Sequence, residues 1–337
     1  MTKGTKVFRI IISILLALTM LWSIVIGIGL FVLGTRFVHT VDYDIWVDGI
    51  LVERSNKDDI LGDGTVSYDS ANNILIFDNA TIESNDAVVY SKIDLNIHLV
   101  GENKFVCTND GYSMGIYAGD YNLGKDLAII GDGSLTIEIP NKCGEAVGIF
   151  ASELTVATDI TVITPDCENM ANGIVCASSL MVVNKATVTV NNGASKFSSA
   201  VRVRGNAFFE EGPALKISTN SGTTETCKGF AVSGDLFLGK DTILEVSIDD
   251  GITTLGECIR VSGLMDIGSG STVTAASKNA PAIECFGAIE ANKGATVSAK
   301  SDNNEADIFC SGAVINRGAE INAKIDAIAG INNRGEN

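Results

Sequence analysis

Three arginines, two aromatic rings and one glutamate recur at corresponding places of a repeating pattern: Tyr117, Phe150, Arg202, Arg204, Arg260 and Glu284. Guanidinium forks hold carboxylates through paired hydrogen bonds, and aromatic faces attract cations and cover apolar ligand surfaces. One face bearing both suits a sugar or a carboxylate-bearing glycan. The same residues fit a plainer role. Arg260 opposite Glu284 reads equally as an exposed cross-strand charge pair, and Tyr117 and Phe150 as rings lying under a long turn.

Other chemistry finds fewer residues. His39 and His98 are the only histidines, so a Ser-His-Asp nucleophile or a zinc site lacks partners, and no C-x-x-C pair occurs. Polysaccharide lyases need a carboxylate cluster for Ca²⁺ beside a basic residue, and glycosidases need paired carboxylates. The row Tyr117, Phe150, Val175, Arg202, Ala231, Arg260, Glu284, Phe309 contains one carboxylate. Asp58-Asp59 and Asp249-Asp250 read as solvated loop charges. No catalytic residue, cofactor or metal is expected. Of eight cysteines, Cys176, Cys285 and Cys310 fall on an inward row and read as small buried hydrophobes. Cys285 and Cys310 sit on adjacent turns, near enough for a bond without requiring one.

These residues are carried by a repeat. Small-apolar-any-small recurs as Gly115-Ile116-Tyr117-Ala118, Gly148-Ile149-Phe150-Ala151 and Gly173-Ile174-Val175-Cys176, then onward to Asp307-Ile308-Phe309-Cys310. From Val88 to Ile331 the spacing runs from 23 to 33 residues with a mean of 27. Each unit adds a second apolar position (Leu154, Leu180, Leu236, Met265, Ile289, Val314) and a third, alternating stretch such as Leu135-Ile137-Ile139. Alternation at period two, rich in Val, Ile and Thr, predicts short strands. Three such strands bury no core alone; stacked unit on unit they do. The expected fold class is all-β: a right-handed parallel β-helix of about nine coils after a single N-terminal transmembrane helix.

The anchor is Ile10 to Gly34, without a charge, preceded by Lys3, Lys6 and Arg9. Such a run spans a hydrocarbon core, and the basic flank places the N-terminus in the cytoplasm and the remainder outside. It is longer than the apolar region of a cleaved signal peptide. The predicted organisation is a basic tail at 1–9, the anchor at 10–34, a linker at 35–43, a β-hairpin cap at 44–86 and the β-helix at 87–337. A net charge of −17 excludes nucleic acid as a natural partner. A coil left open at the C-terminus would favour self-association.

The segment YDIWVDGILVERSNKDDILGDGTVSYDSANNILIFDNATIE, beginning at Tyr43, resembles the leading block of membrane-anchored surface proteins of Gram-positive anaerobes. Those proteins carry a pectate-lyase-like right-handed parallel β-helix, and some are labelled carbohydrate-binding. The resemblance implies a non-catalytic cell-surface module for adhesion, scaffolding or carbohydrate binding, with a surface glycan as partner. The alternative is a polysaccharide lyase or glycoside hydrolase of the same fold.

Overall fold

In a computed structural model the described residues are 41–120, 123–210, 212–220, 226–249, 256–278, 280–302 and 306–333. The expected anchor at 10–34 lies outside them. Within this set every regular element is a β-strand, and no helix is long and apolar enough to cross a membrane. The described residues of Asp42–Val52 and Asn56–Asn337 belong to one compact unit, while Val41 and Glu53–Ser55 belong to another.

The larger unit is a parallel β-solenoid. Each turn gives one strand to each of three sheets. The first sheet begins its parallel series at Val89–Ser91 and runs through Tyr112–Asp120, Glu145–Ala151, Met170–Cys176, Phe197–Val203, Thr226–Val232 and Gly256–Val261 to Ile325–Ala327. The second runs from Ile74–Asp78 to Ile331–Asn333, and the third from Thr81–Ser84 to Glu320–Asn322.

Register is held by the inward rows. On the first sheet Ile116, Ile149, Ile174, Val201, Phe230, Ile259, Ile283 and Ile308 pair in succession, and all are buried. A one-residue slip would turn this row to solvent. Burying each large side chain contributes roughly 1.5–3 kcal/mol, which is how short strands become stable when stacked.

The segment expected as a cap is woven into the same sheets. Asp42–Val47 pairs antiparallel with Val89–Ser91. Val66–Asp69 and Ile74–Asp78 form a hairpin whose second strand pairs parallel with Leu95–Val100. Phe77 meets Phe105 edge-on at 4.9 Å, so this first layer and the next turn share a core.

The recurring small residue of the repeat marks a bend. A Cβ built on Gly148 would collide with Val162 of the third sheet and come within 2.5 Å of the Gly173 carbonyl oxygen. The strand therefore turns its corner there, and two successive residues face the interior. Outward columns on this sheet stand three residues apart across the bend: Ser199 with Arg202, Lys228 with Ala231, Glu257 with Arg260.

Candidate functional site

The outward row of the first sheet is continuous in register: Tyr117, Phe150, Val175, Arg202, Ala231, Arg260, Glu284, Phe309. It divides into two different surfaces.

One is an aromatic ladder. Trp46 stacks on Tyr90 at 5.1 Å, Tyr90 tilts against Tyr117 at 5.7 Å, and Tyr117 stacks on Phe150 at 4.9 Å. Lys92 stands over Trp46 at 5.1 Å. Ring faces within the ladder are thus turned to one another. Gly119 runs close beside the Tyr117 and Phe150 rings, in the hairpin that Leu123–Gly124 closes. Tyr117 and Phe150 are separated from the arginines by Val175 and do not share a pocket with them.

The other is a groove of about 380 Å³ lined by Phe197, Ser199, Arg202, Lys228, Ala231 and Arg260, among others. Its depth has a simple origin. Ala231 lies on the rung between Arg202 and Arg260, which leaves a gap of roughly 10 Å between the arginine rungs with only a methyl at its floor. Phe197, 49% exposed, forms one rim. The buried Asn192 amide sets the approach to this strand by donating to Ser198 Oγ at 2.7 Å and to the Ala171 carbonyl at 3.1 Å.

The groove is cationic and under-satisfied. Arg202 is exposed and makes no side-chain hydrogen bond or ion pair with the described residues. Ser199 is 7% exposed and its Oγ has no hydrogen-bond partner. Burial holds the Lys228 ammonium below its ordinary value; Glu257 pulls it back, and Arg260 and Arg202 add to the lowering. Three cations line this one groove of a chain of net charge −17; Lys228 and Arg260 are offset by Glu257 and Glu284, and the positive charge of Arg202 is left unbalanced.

Beside it, Arg260 carries two carboxyls. Its Nη1 lies 2.8 Å from Glu257 Oε1 and 3.5 Å from Glu284 Oε2. The three side chains are only 33%, 12% and 18% exposed, so the expected exposed charge pair is a half-buried trio. Arg260 also lies 4.9 Å over the Phe286 ring. Burial, then the charge of Glu257 and a hydrogen bond to it, push the Glu284 carboxyl up to about 7. Both acids converge on one guanidinium nitrogen and neither faces an open cleft, unlike the carboxylate pair that flanks a glycosidic bond.

Arg204 lies outside this groove, exposed in the bend that follows its strand. Lys228, Glu257, Ser199 and Phe197 join the site without having been expected. The signal for Ser199, Lys228 and Glu257 was the three-residue step across the small residue, which a period-two reading passes over; Phe197 stands at the start of its strand, two residues before Ser199. A second groove of about 970 Å³ lies on the second sheet over Phe208 and Phe237, whose rings stack at 5.2 Å. Lys185, Lys240 and Asp266 border it, and Asp266 is engaged by the Asn292 amide at 2.9 Å. That groove gathers no comparable set of convergent donors. Among the described residues no group of three or more His, Cys, Asp or Glu could hold a metal ion.

No protein-family model, curated protein or solved structure matches this chain significantly.

Proposed function

We propose that this chain is a non-catalytic β-helix module of the cell surface that binds acidic carbohydrate in the groove of its first sheet. The single observation behind this reading is the unpartnered Arg202 guanidinium facing a groove that already holds Lys228, Arg260 and an unpartnered buried hydroxyl. The open Arg202 guanidinium fork receives a carboxylate or sulfate group, and the exposed Phe197 rim offers an apolar face for a sugar ring.

The right-handed sense of the helix belongs to the proposal, supported by the strong preference of parallel crossover connections for that hand. So do the membrane anchor, the cytoplasmic N-terminus and the external placement of the solenoid. They rest on the apolar run Ile10 to Gly34 and its basic flank.

The test is a glycan array probed with the full-length chain in detergent, comparing uronate-rich and sulfated oligosaccharides with neutral ones. The expected result is retention of the acidic ligands and loss of that retention in Arg202→Ala. Equal retention of neutral and acidic ligands, or binding unchanged in Arg202→Ala, overturns it.

A further inference from the structure

All eight cysteines are buried thiols. Two of them touch: Cys143 Sγ and Cys167 Sγ lie 3.3 Å apart, 24 residues apart in sequence. They occupy the same corner of successive turns. The Glu168 amide donates to the Cys143 carbonyl at 3.1 Å, and the Cys167 amide donates onward to the Ala194 carbonyl at 2.8 Å. Backbone bonds therefore hold the two corners at ladder spacing, which lies in the Cα range that a disulfide bridges. The sulfurs need to close by little more than 1 Å, a shift that side-chain rotation supplies.

The neighbourhood leaves both thiols to each other. Cys143 Sγ otherwise meets the Glu145 carbonyl at 3.3 Å, and Cys167 Sγ the Pro165 carbonyl at 3.6 Å. Cys285 and Cys310 are also in register and their side chains also hydrogen-bond to each other, but both lie on strands of the first sheet, fully in the core, with Sγ atoms on the Gly263, Ala288 and Gly287 carbonyls at 3.3–3.4 Å. Cys143 and Cys167 stand instead at a corner, where an oxidant needs to open only a turn.

We infer that Cys143 and Cys167 form a disulfide staple between neighbouring turns of the solenoid when the chain meets a small-molecule disulfide. One thiolate attacks the oxidant's S–S bond, forms a mixed disulfide and releases one thiolate. The second cysteine thiolate attacks the cysteine sulfur of that mixed disulfide and releases the other. Two electrons pass from the cysteine pair to the oxidant, whose two thiolates take up the two protons. The staple closes a loop between turns and ties the corner that leads into Met170 and Phe197, at the rim of the groove.

Burial raises both thiols, and Asp110, Glu145 and Asp166 also disfavour their charged forms, so exchange is slow at neutral pH. The test incubates the folded full-length chain with oxidised glutathione at about pH 9, then alkylates remaining thiols and maps peptides by mass spectrometry. The expected result is a single linked peptide joining Cys143 to Cys167, with a melting temperature higher by about 5 °C that returns to its starting value with reductant. Cys143→Ala abolishes the shift. Full alkylation of both cysteines after incubation, a link through other cysteines in their place, or a shift that persists in Cys143→Ala overturns the inference.

Discussion

Glu257 and Glu284 share one guanidinium nitrogen: Arg260 Nη1 stands 2.8 Å from an oxygen of the first and 3.5 Å from an oxygen of the second. Two acids on adjacent rungs are thereby held together by a single cation, and the proton count of the pair becomes part of the fold's stability.

That coupling gives a pH dependence of definite sign. The Glu284 carboxyl is raised from 4.5 to about 7, so the fold favours its protonated form. Its contribution is fully present below the unfolded value and is lost as pH rises through the folded one. Thermal melts should therefore lose stability between about pH 4.5 and pH 7 from this site, and Glu284→Gln should flatten that part of the profile. Parallel profiles for the two proteins would refute the assignment.

The arginines should separate in their effects. Arg202 has no partner to lose, so Arg202→Ala should leave the melting temperature within the range of a neutral surface change, about 0.5 kcal/mol. Arg260→Ala leaves two half-buried acids facing each other and should cost about 1–3 kcal/mol near neutral pH. Denaturant titration of both variants reads the contrast, and equal stability in the two would contradict it.

Inward rows should tolerate lost volume far better than charge. Val203 and Val232 are buried, and an aspartate at either places an unpaired charge in the core, at a cost of several kcal/mol against a total of about 5–15. Cys176→Ala at a fully buried thiol should cost only about 1–2 kcal/mol. Circular dichroism should show the aspartate variants unfolded and the alanine variant folded; a folded Val203→Asp would mean that row faces solvent.

Gly148 tests the corner. A methyl group there meets Val162 and the backbone of the next turn, so Gly148→Ala should destabilise by about 1–3 kcal/mol despite the better intrinsic propensity of alanine. An unchanged or raised denaturation midpoint would show that the bend does not need a bare backbone.

The repeat was readable because its inward row is almost uniform chemically: Ile116, Ile149, Ile174, Val201, Ile259 and Ile283 declare their equivalence by type, and the pairing joins them in that order with Phe230 between Val201 and Ile259. The outward row from Tyr117 to Phe309 followed automatically, one residue later. Lys228 and Glu257 did not, because alternation breaks at Gly229 and Cys258, and strict period-two counting assigns the outward place to the small residue. Trp46 reaches the aromatic ladder through an antiparallel pairing that no repeat spacing encodes. Cys143 and Cys167 stand six and seven residues before Ile149 and Ile174, so counting along the chain brings the two corners within one residue of each other but does not show that the sulfurs meet.

The ladder Trp46–Tyr90–Tyr117–Phe150 also equips the molecule with an internal optical gauge. Indole and phenol rings at about 5–6 Å exchange excitation efficiently, and Trp46 terminates the series at the first rung. Light absorbed by Tyr90 and Tyr117 should reach Trp46 while the opening turns remain zipped together, and that share of the tryptophan emission should fall once they part. Fraying from that end would then register as a fall in sensitised emission before the bulk of the stack has lost any far-ultraviolet signal, letting the order in which turns detach be followed without an added label.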